Sequence, residues 1–260
     1  MKTKHLIPLG LILFLNISCN SAKLANKVVA HRGAWTENAI PENSLASLSN
    51  AIELGCGGSE LDIWMTMDNV LVVCHDPEFQ GIGIETSTYE ELSSEKLING
   101  ETLPKLETYI KSAQNQKKTK LILEIKTSQI GEERNMLLAT HVVQMVHALK
   151  AQKDVEYICF DWNIGRKVIS LDAGAIVAYL AWKETKSLQE IKNAGFSGID
   201  YHLRMYKDDP GLVGRAKNLG LTTNVWTVNK EEDMKWLLGA GVDYITTDKP
   251  EILFNLLAQD

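Results

Sequence analysis

Short apolar runs alternate with amphipathic stretches along most of the chain. Each apolar run is four to six residues long and rich in β-branched or aromatic residues, as in a buried strand. The longer stretches repeat apolar residues at helical spacing. The pattern predicts eight strands, at residues 27–30, 60–64, 121–125, 155–160, 176–180, 198–201, 223–228 and 244–247.

Helices are predicted between the strands, and several end at a glycine. The clearest cover residues 44–54, 135–150, 188–194, 212–219 and 231–238, with Gly55, Gly195, Gly220 and Gly239 as terminating glycines. Alternating strands and helices favour a parallel sheet. Eight units within about 240 residues favour an α/β fold closed into a (β/α)8 barrel, and no glycine-rich phosphate-binding sequence follows the first strand.

One further apolar run, at residues 70–74, follows the second strand too closely for a helical crossover. Asp68-Asn69 is therefore expected to turn the chain back. The sequence thus predicts a small hairpin insertion after the second strand of the barrel.

The first 18 residues have the pattern of an export signal. Lys2 and Lys4 precede an apolar run of about a dozen residues, which is shorter than the roughly 20 that span a bilayer. Ser18 directly before Cys19 resembles the cleavage site of bacterial lipoproteins, although an ordinary signal peptide beside an incidental cysteine is the alternative. We predict a lipoprotein signal peptide at residues 1–18, a short tether at 19–26 and one barrel domain at 27–260.

The expected mature chain is an exported lipoprotein, anchored to a membrane through lipid on Cys19 and facing the periplasm or the cell exterior. Without residues 1–18 it has 25 basic and 33 acidic residues, a formal net charge of −8 compared with −6 for the whole chain. This charge argues against nucleic acid as a partner and against attachment through a basic surface. Cys56, Cys74 and Cys159 are widely spaced and are expected to be buried thiols.

Acidic residues lie on the second predicted strand and at the end of the third. Glu60 and Asp62 are two residues apart, so their side chains point to the same side of the strand. Glu124 and Lys126 have the same spacing on the next strand. Three carboxylates in one barrel mouth must take up protons or bind a cation, and oxygen ligands suit a hard ion such as Mg²⁺ or Ca²⁺.

Motifs that contain these residues extend over roughly residues 27 to 252. They are His31-Arg32-Gly33, Pro41-Glu42-Asn43-Ser44, Glu60-Leu61-Asp62, His75-Asp76, Leu103-Pro104-Lys105-Leu106-Glu107, Glu124-Ile125-Lys126, Trp226-Thr227-Val228-Asn229 and Thr246-Thr247-Asp248-Lys249-Pro250. In this order they resemble the signature of the glycerophosphodiester phosphodiesterase family. The resemblance implies a TIM barrel that hydrolyses glycerophosphodiesters to glycerol 3-phosphate and an alcohol.

The resemblance also implies roles for individual residues. Glu60, Asp62 and Glu124 would bind one divalent cation, either Ca²⁺ or Mg²⁺. His31 and His75 would be the general acid and base, in an order that stays open, since an imidazole with a pKa of about 6.5 serves either role near neutral pH. The nucleophile would be water or the neighbouring glycerol hydroxyl, which would form a cyclic intermediate.

Four further residues are assigned to the substrate site. Arg32 would bind the phosphate, because its guanidinium matches two oxygens at once. Lys126 would offset the negative charge from another side. Glu42 would support these residues, and Trp226 is either a core residue or a wall of the substrate pocket.

Other residues receive simpler interpretations. Asp248 could cap the helix after the last strand or reach the pocket, and the capping role is expected. His202, near the end of the sixth predicted strand, could face the pocket, but no matching motif supports this and it is expected on the surface or in a loop. His141 and His147, six residues apart on a helix, are expected to face solvent. The loop at residues 77–83 lacks the arginine and threonines that many family members have there, which leaves the alcohol headgroup open.

Three alternative functions use the same residues. A phosphodiesterase could release a cyclic phosphate as its final product, or act on lysophospholipid-like substrates. A barrel that binds phosphoesters without turning them over would be expected to lack the acid and base, whereas His31 and His75 are both present. The predicted partner is therefore a small glycerophosphodiester, besides the membrane that holds the lipid anchor.

Overall fold

The computed structural model describes residues 24–36 and 40–259. Its strands, in chain order, are β1 (Val28–Ala30), β2 (Gly58–Met65), β3 (Leu71–Val73), β4 (Glu78–Phe79), β5 (Ile82–Gly83), β6 (Lys120–Ile125), β7 (Val155–Cys159), β8 (Val177–Ala181), β9 (Gly198–His202), β10 (Thr222–Trp226) and β11 (Tyr244–Thr247). Its α-helices are α1 (Leu45–Leu54), α2 (Tyr89–Ser93), α3 (Leu106–Ala113), α4 (Glu132–Ala148), α5 (Trp162–Leu171), α6 (Leu188–Asn193), α7 (Leu203–Asp208), α8 (Leu212–Asn218), α9 (Glu231–Ala240) and α10 (Pro250–Leu257), and a 3₁₀ helix occupies Ile84–Thr86.

Eight parallel strands close into a barrel. Their order around the barrel is β1, β11, β10, β9, β8, β7, β6 and β2, and β1 pairs with β2 to complete the circle. Both faces of the barrel strands are covered: all eight residues of β2 are buried, including the polar side chains of Ser59, Glu60 and Asp62. The (β/α)8 barrel predicted from the alternation of strands and helices is confirmed.

The hairpin insertion after the second strand is also present. β3 runs antiparallel to β2, with Ile63 opposite Val73 and Met65 opposite Leu71. The insertion has a small apolar core of its own, formed by Trp64, Val72, Phe79, Ile84, Leu92 and Leu103. This core holds the chain that leaves β3, so the residues after β3 have a fixed position at the barrel mouth.

Two helix ends show how the sequence sets the boundaries. Ser44 caps α1 by accepting a hydrogen bond from the backbone N–H of Ser47, and Gly55 ends this helix at a φ of 78°. The predicted end of α9 at Gly239 is wrong, since the helix continues to Ala240 and Gly241 ends it at a φ of 78°. A glycine inside a helix costs only about 1 kcal/mol relative to alanine, so Gly239 does not stop it.

The inside of the barrel is filled with apolar side chains from Leu24, Val29, Ile122, Ile158 and Leu180. A larger apolar cluster packs the outer faces of the strands against the helices. The barrel interior is therefore mostly a packed core. It also holds hydrogen-bonded polar side chains, such as Asn224, whose amide donates to Asp200 Oδ2 and Thr246 Oγ1.

The predicted signal peptide, Cys19 and most of the tether lie outside the described residues. Within residues 24–36 and 40–259, every helix is too short or too polar to cross a membrane. The thiols of Cys56 and Cys159 are buried, and that of Cys74 is partly buried.

Candidate active site

An acidic cluster lies at the carboxyl ends of two neighbouring barrel strands. Glu60 and Asp62 belong to β2 and Glu124 to β6, and Asp62 and Glu124 lie opposite each other in the parallel register. One oxygen from each of the three carboxylates lies within 4.8 Å of the others. Glu60 Oε2 accepts a hydrogen bond of 2.8 Å from the Arg32 backbone N–H, while the buried Oε1 has no partner among the described residues. A free, buried carboxylate oxygen beside two further carboxylates fits a hard divalent cation.

Burial and mutual repulsion act against the charged forms of this cluster. Burial, together with the charges of Asp62 and Glu124, raises the pKa of Glu60 well above its ordinary value. Burial and Asp62 likewise raise the pKa of Glu124 to about 6. Burial also opposes the charge on Asp62, but Lys126, His75, Asn43 and Arg32 together outweigh it and lower the pKa of this carboxyl. In this cluster the protein itself therefore favours the charged form of Asp62. A bound cation would stabilise the charged forms of Glu60 and Glu124.

Lys126 and Asn43 hold Asp62 in place. Lys126 Nζ lies 3.0 Å from Asp62 Oδ1 and 2.8 Å from Glu124 Oε1. The Asn43 amide donates a hydrogen bond of 2.8 Å to Asp62 Oδ2 and accepts one of 3.2 Å from the Asp62 backbone N–H. The orientation of Asp62 is therefore set by the protein before any ligand binds.

The loop after β1 places Arg32 beside the cluster. Its guanidinium donates to both oxygens of Glu42, at 2.8 and 3.0 Å, and its Nε lies 3.7 Å from Asp62 Oδ2. Arg32 and Gly33 both have left-handed backbones, with φ of 55° and 80°. This turn lets the Arg32 side chain and the Arg32 N–H both reach the acidic residues.

Two histidines face the acidic cluster, and each has a carboxylate on its Nδ1 atom. His31 Nδ1 lies 2.7 Å from Asp248 Oδ1, and His75 Nδ1 lies 2.7 Å from Asp76 Oδ1. An ionised carboxylate at Nδ1 favours the tautomer with its proton on Nδ1. The Nε2 atom of each ring is then left for proton transfer.

The predicted capping role of Asp248 is wrong. Lys249 is the N-terminal cap residue of α10, and the Asp248 carboxylate instead accepts hydrogen bonds from His31 and from Asn229, the latter at 2.6 Å. Burial raises the pKa of Asp248, but His31, Asn229 and Arg32 together outweigh it and lower the pKa below its ordinary value. Pro250 begins the helix without a free N–H, which removes one of the donors that a cap would satisfy.

These side chains border a cavity of about 320 Å³ at the barrel mouth. Glu42 and Asp62 lie behind the cavity lining: Glu42 forms an ion pair with Arg32, and Asp62 forms one with Lys126. The cavity is lined by His31, Arg32, Glu60, His75, Glu124, Lys126, Ile158, Phe160, Leu180, Trp182, Asp200, Trp226, Thr227 and Thr246.

Several lining residues were not singled out from the sequence. Phe160 follows β7, Trp182 follows β8 and Asp200 lies in β9, so the rule that strand ends form the active face would have found the first two. His202 is the last residue of β9 rather than a loop residue, and it is partly exposed. Its ring lies 5.2 Å from that of Trp226. His147 is exposed as expected, and its ring contacts Asp172 at 2.8 Å.

Known proteins are similar to this chain over most of its length. The model of the glycerophosphoryl diester phosphodiesterase family matches residues 31–252. The glycerophosphodiester phosphodiesterase of Caldanaerobacter subterraneus subsp. tengcongensis is 29% identical over 246 residues, which are 88% of this chain and 97% of that protein.

Solved structures extend the similarity to the fold. A glycerophosphodiester phosphodiesterase from Parabacteroides distasonis is 42% identical, with a TM-score of 0.87 over 91% of this chain and 98% of that chain. A phosphodiesterase from Oleispira antarctica, in complex with the product sn-glycerol-3-phosphate, is 21% identical, with a TM-score of 0.81 over 89% of this chain and 96% of that chain. At 21% identity, this second comparison shows similarity of fold alone.

Proposed function

Because the chain belongs to the glycerophosphoryl diester phosphodiesterase family, we propose that it hydrolyses glycerophosphodiesters to sn-glycerol 3-phosphate and an alcohol, with the help of a divalent cation. One observation carries this proposal. Three buried carboxylates converge at the barrel mouth between two histidines, and Glu60 has a carboxylate oxygen without a partner among the described residues.

Glu60, Asp62 and Glu124 would hold the cation, either Ca²⁺ or Mg²⁺. Their donor set is made of oxygen alone and is charged, which suits such an ion better than a softer metal. When bound, the ion would act as a Lewis acid that offsets negative charge on the phosphoryl oxygens.

The remaining side chains would bind the phosphate and move protons. Arg32 and Lys126 border the cavity and would pair with the non-bridging phosphate oxygens as charge develops on them. One of His31 and His75 would take a proton at Nε2 from the attacking hydroxyl or water, and the other would donate one to the leaving alkoxide. Asp248 and Asp76 would keep the two rings oriented for these transfers.

The first test is release of glycerol 3-phosphate from glycerophosphocholine and glycerophosphoethanolamine by the mature protein, residues 19–260. Turnover is expected to stop after chelation and to return when Ca²⁺ or Mg²⁺ is added. Release that continues at an unchanged rate in excess chelator would contradict metal dependence. If a folded sample releases no glycerol 3-phosphate in the presence of Ca²⁺ and none in the presence of Mg²⁺, the proposed reaction is contradicted.

We further propose that residues 1–18 direct export and that Cys19 carries the lipid that anchors the protein. The support is the sequence pattern alone, a basic start followed by an apolar run and Ser18-Cys19. Labelling with a radioactive fatty acid in a bacterial host is expected to mark the wild type but not Cys19→Ser. Equal labelling of both proteins would exclude Cys19 as the lipidated residue.

A further inference from the structure

Three aromatic side chains form one side of the active-site cavity. They are Phe160, Trp182 and Trp226, and we call them the aromatic wall. Phe160 stacks on Trp182, with ring centroids 4.9 Å apart and an interplanar angle of 25°. The Trp226 ring lies 5.6 Å from Phe160 and 5.4 Å from Trp182, at steep angles of 86° and 61°. The rings therefore form a corner beside the catalytic side chains.

A hydrogen bond holds one member of the aromatic wall, and another is largely exposed. The indole N–H of Trp226 donates a hydrogen bond of 3.0 Å to the backbone carbonyl of Asp200. Trp182 is 63% exposed although it stacks on Phe160, so core packing does not account for a tryptophan at this position. An exposed aromatic ring held at the edge of a binding cavity offers a contact surface to a ligand.

The two sides of the cavity differ in charge. Arg32 and Lys126 belong to the charged side, whereas the aromatic wall adjoins the aliphatic residues Ile158 and Leu180. The carboxylates that line the cavity are at most 9% exposed and belong to Glu60, Glu124 and Asp200.

This arrangement distinguishes between two kinds of cationic alcohol. A primary ammonium against the aromatic wall would give up hydrogen bonds to water and find aromatic carbon in their place. A trimethylammonium group has no N–H to satisfy, and its charge is attracted to aromatic faces.

We propose that the aromatic wall binds a quaternary ammonium group on the alcohol arm of the substrate, so that choline esters are preferred to ethanolamine esters. This inference rests on the proposed hydrolysis of glycerophosphodiesters and adds the determinant of its headgroup preference. With the phosphate held by Arg32 and Lys126, the alcohol arm would lie against the aromatic wall, where the nearby Asp200 is only 1% exposed. The preference expected from one cation–π contact is about 2- to 30-fold.

The test compares kcat/KM for three diesters of glycerol phosphate: the choline ester, the ethanolamine ester and the 3,3-dimethylbutyl ester, a neutral isostere of choline. The wild type is expected to favour the choline ester over both others by about 2- to 30-fold, mainly through KM. Trp182→Ala is expected to bring these ratios close to one, and Trp182→Phe to keep most of the preference. The matched control is Trp236→Ala on α9, which removes another exposed tryptophan, 38% exposed, and is expected to leave the ratios unchanged.

Each other result argues against a specific part of the inference. Equal KM values for the choline ester and its neutral isostere would show that apolar contact alone binds the headgroup, and would overturn the quaternary ammonium site. An equal loss on all three esters in Trp182→Ala, with an unchanged melting temperature, would show that this residue does not read the headgroup. Release of no glycerol 3-phosphate from any of the three by the wild type would overturn the proposed hydrolysis itself.

Discussion

His31 combines two features that suit a proton-transfer residue: it lines the cavity, and Asp248 lies 2.7 Å from its Nδ1 atom. We expect His31→Ala to lower kcat by about 10²- to 10⁴-fold, because one of the two proton transfers loses its side chain. Folding and cation binding are expected to persist, since the ring is at the edge of the acidic cluster. Steady-state kinetics, thermal unfolding and calorimetric titration with Ca²⁺ or Mg²⁺ measure the three quantities.

His147 provides the matched control for this variant. Its ring also contacts an aspartate, Asp172, at 2.8 Å, but it lies on α4, away from the cavity. His147→Ala is expected to keep full activity. Unchanged turnover in His31→Ala would remove this residue from the proton transfers and overturn the proposed scheme.

Single residues also show where sequence reasoning stops. The two-residue period of a strand is enough to group Glu60 with Asp62, and the structure has them on the same side of β2. Asp248 lies both near the start of a helix, where it could cap that helix, and at the end of a strand, where it could reach the active site. The deciding contact is with His31, 217 residues away in the chain, and no local pattern contains that information.

At the scale of elements, the turn between β1 and α1 depends on a glycine for two separate reasons. Gly33 has a φ of 80°, and a Cβ atom there would lie 2.7 Å from the backbone carbonyl carbon of Ser47. Gly81 has the same φ of 80°, but a Cβ atom there would have no neighbour within 4 Å. Comparing Gly33→Ala with Gly81→Ala therefore separates backbone strain from steric overlap.

We expect Gly81→Ala to lower the free energy of unfolding by about 1–2 kcal/mol, the cost of a left-handed alanine. Gly33→Ala is expected to cost about 1–3 kcal/mol more, because α1 must shift, and to lower kcat as Arg32 moves with the turn. Urea denaturation and kinetics measure both effects. Equal losses of stability in the two variants would show that the Ser47 contact relaxes without cost.

The elements themselves were largely predictable, and their ends less so. The hairpin after β2 followed from the short distance between two apolar runs. The end of α9 did not, because Gly239 and Gly241 are both compatible with the local sequence, and only the left-handed backbone at Gly241 distinguishes them.

At the scale of the whole molecule, the number of strand and helix units indicated a closed barrel, and the circle of parallel pairs confirms it. The aromatic wall was predictable only in part, because Trp226 was expected either in the core or as a wall of the pocket, and Phe160 and Trp182 were not singled out. Phe160, Trp182 and Trp226 come from three strand ends that barrel closure brings together, and apolar residues at strand ends are equally common in cores. Carboxylates on buried strands indicate a binding site because an unpaired buried charge is unfavourable. Aromatic residues at strand ends do not indicate one, because aromatic residues are also common in cores.

The acidic cluster makes stability of the whole protein depend on both pH and cation. The pKa of Glu124 is raised from 4.5 to about 6 in the folded, metal-free protein. The folded state thus binds this proton more tightly than the unfolded state. Its contribution to stability is fully present below pH 4.5 and is lost as the pH rises through about 6. A shift of this size corresponds to about 2 kcal/mol of the free energy of unfolding.

We therefore expect the stability of the wild type relative to Glu124→Gln to fall by about 2 kcal/mol between pH 4.5 and 7 in chelator. Saturating Ca²⁺ or Mg²⁺ is expected to reverse this fall in the wild type but not in Glu124→Gln, because the ion binds the folded state with its carboxylates charged. Urea denaturation across this pH range measures the difference. Glu156→Gln is the control. Burial raises the pKa of Glu156 too, but this carboxylate pairs with Lys120, 2.9 Å away, and does not belong to the acidic cluster. The stability of the Glu156→Gln protein should therefore respond to the ion as that of the wild type does. A wild type that gains no stability from either ion would contradict a cation site at these three carboxylates, whatever the outcome of the activity measurements.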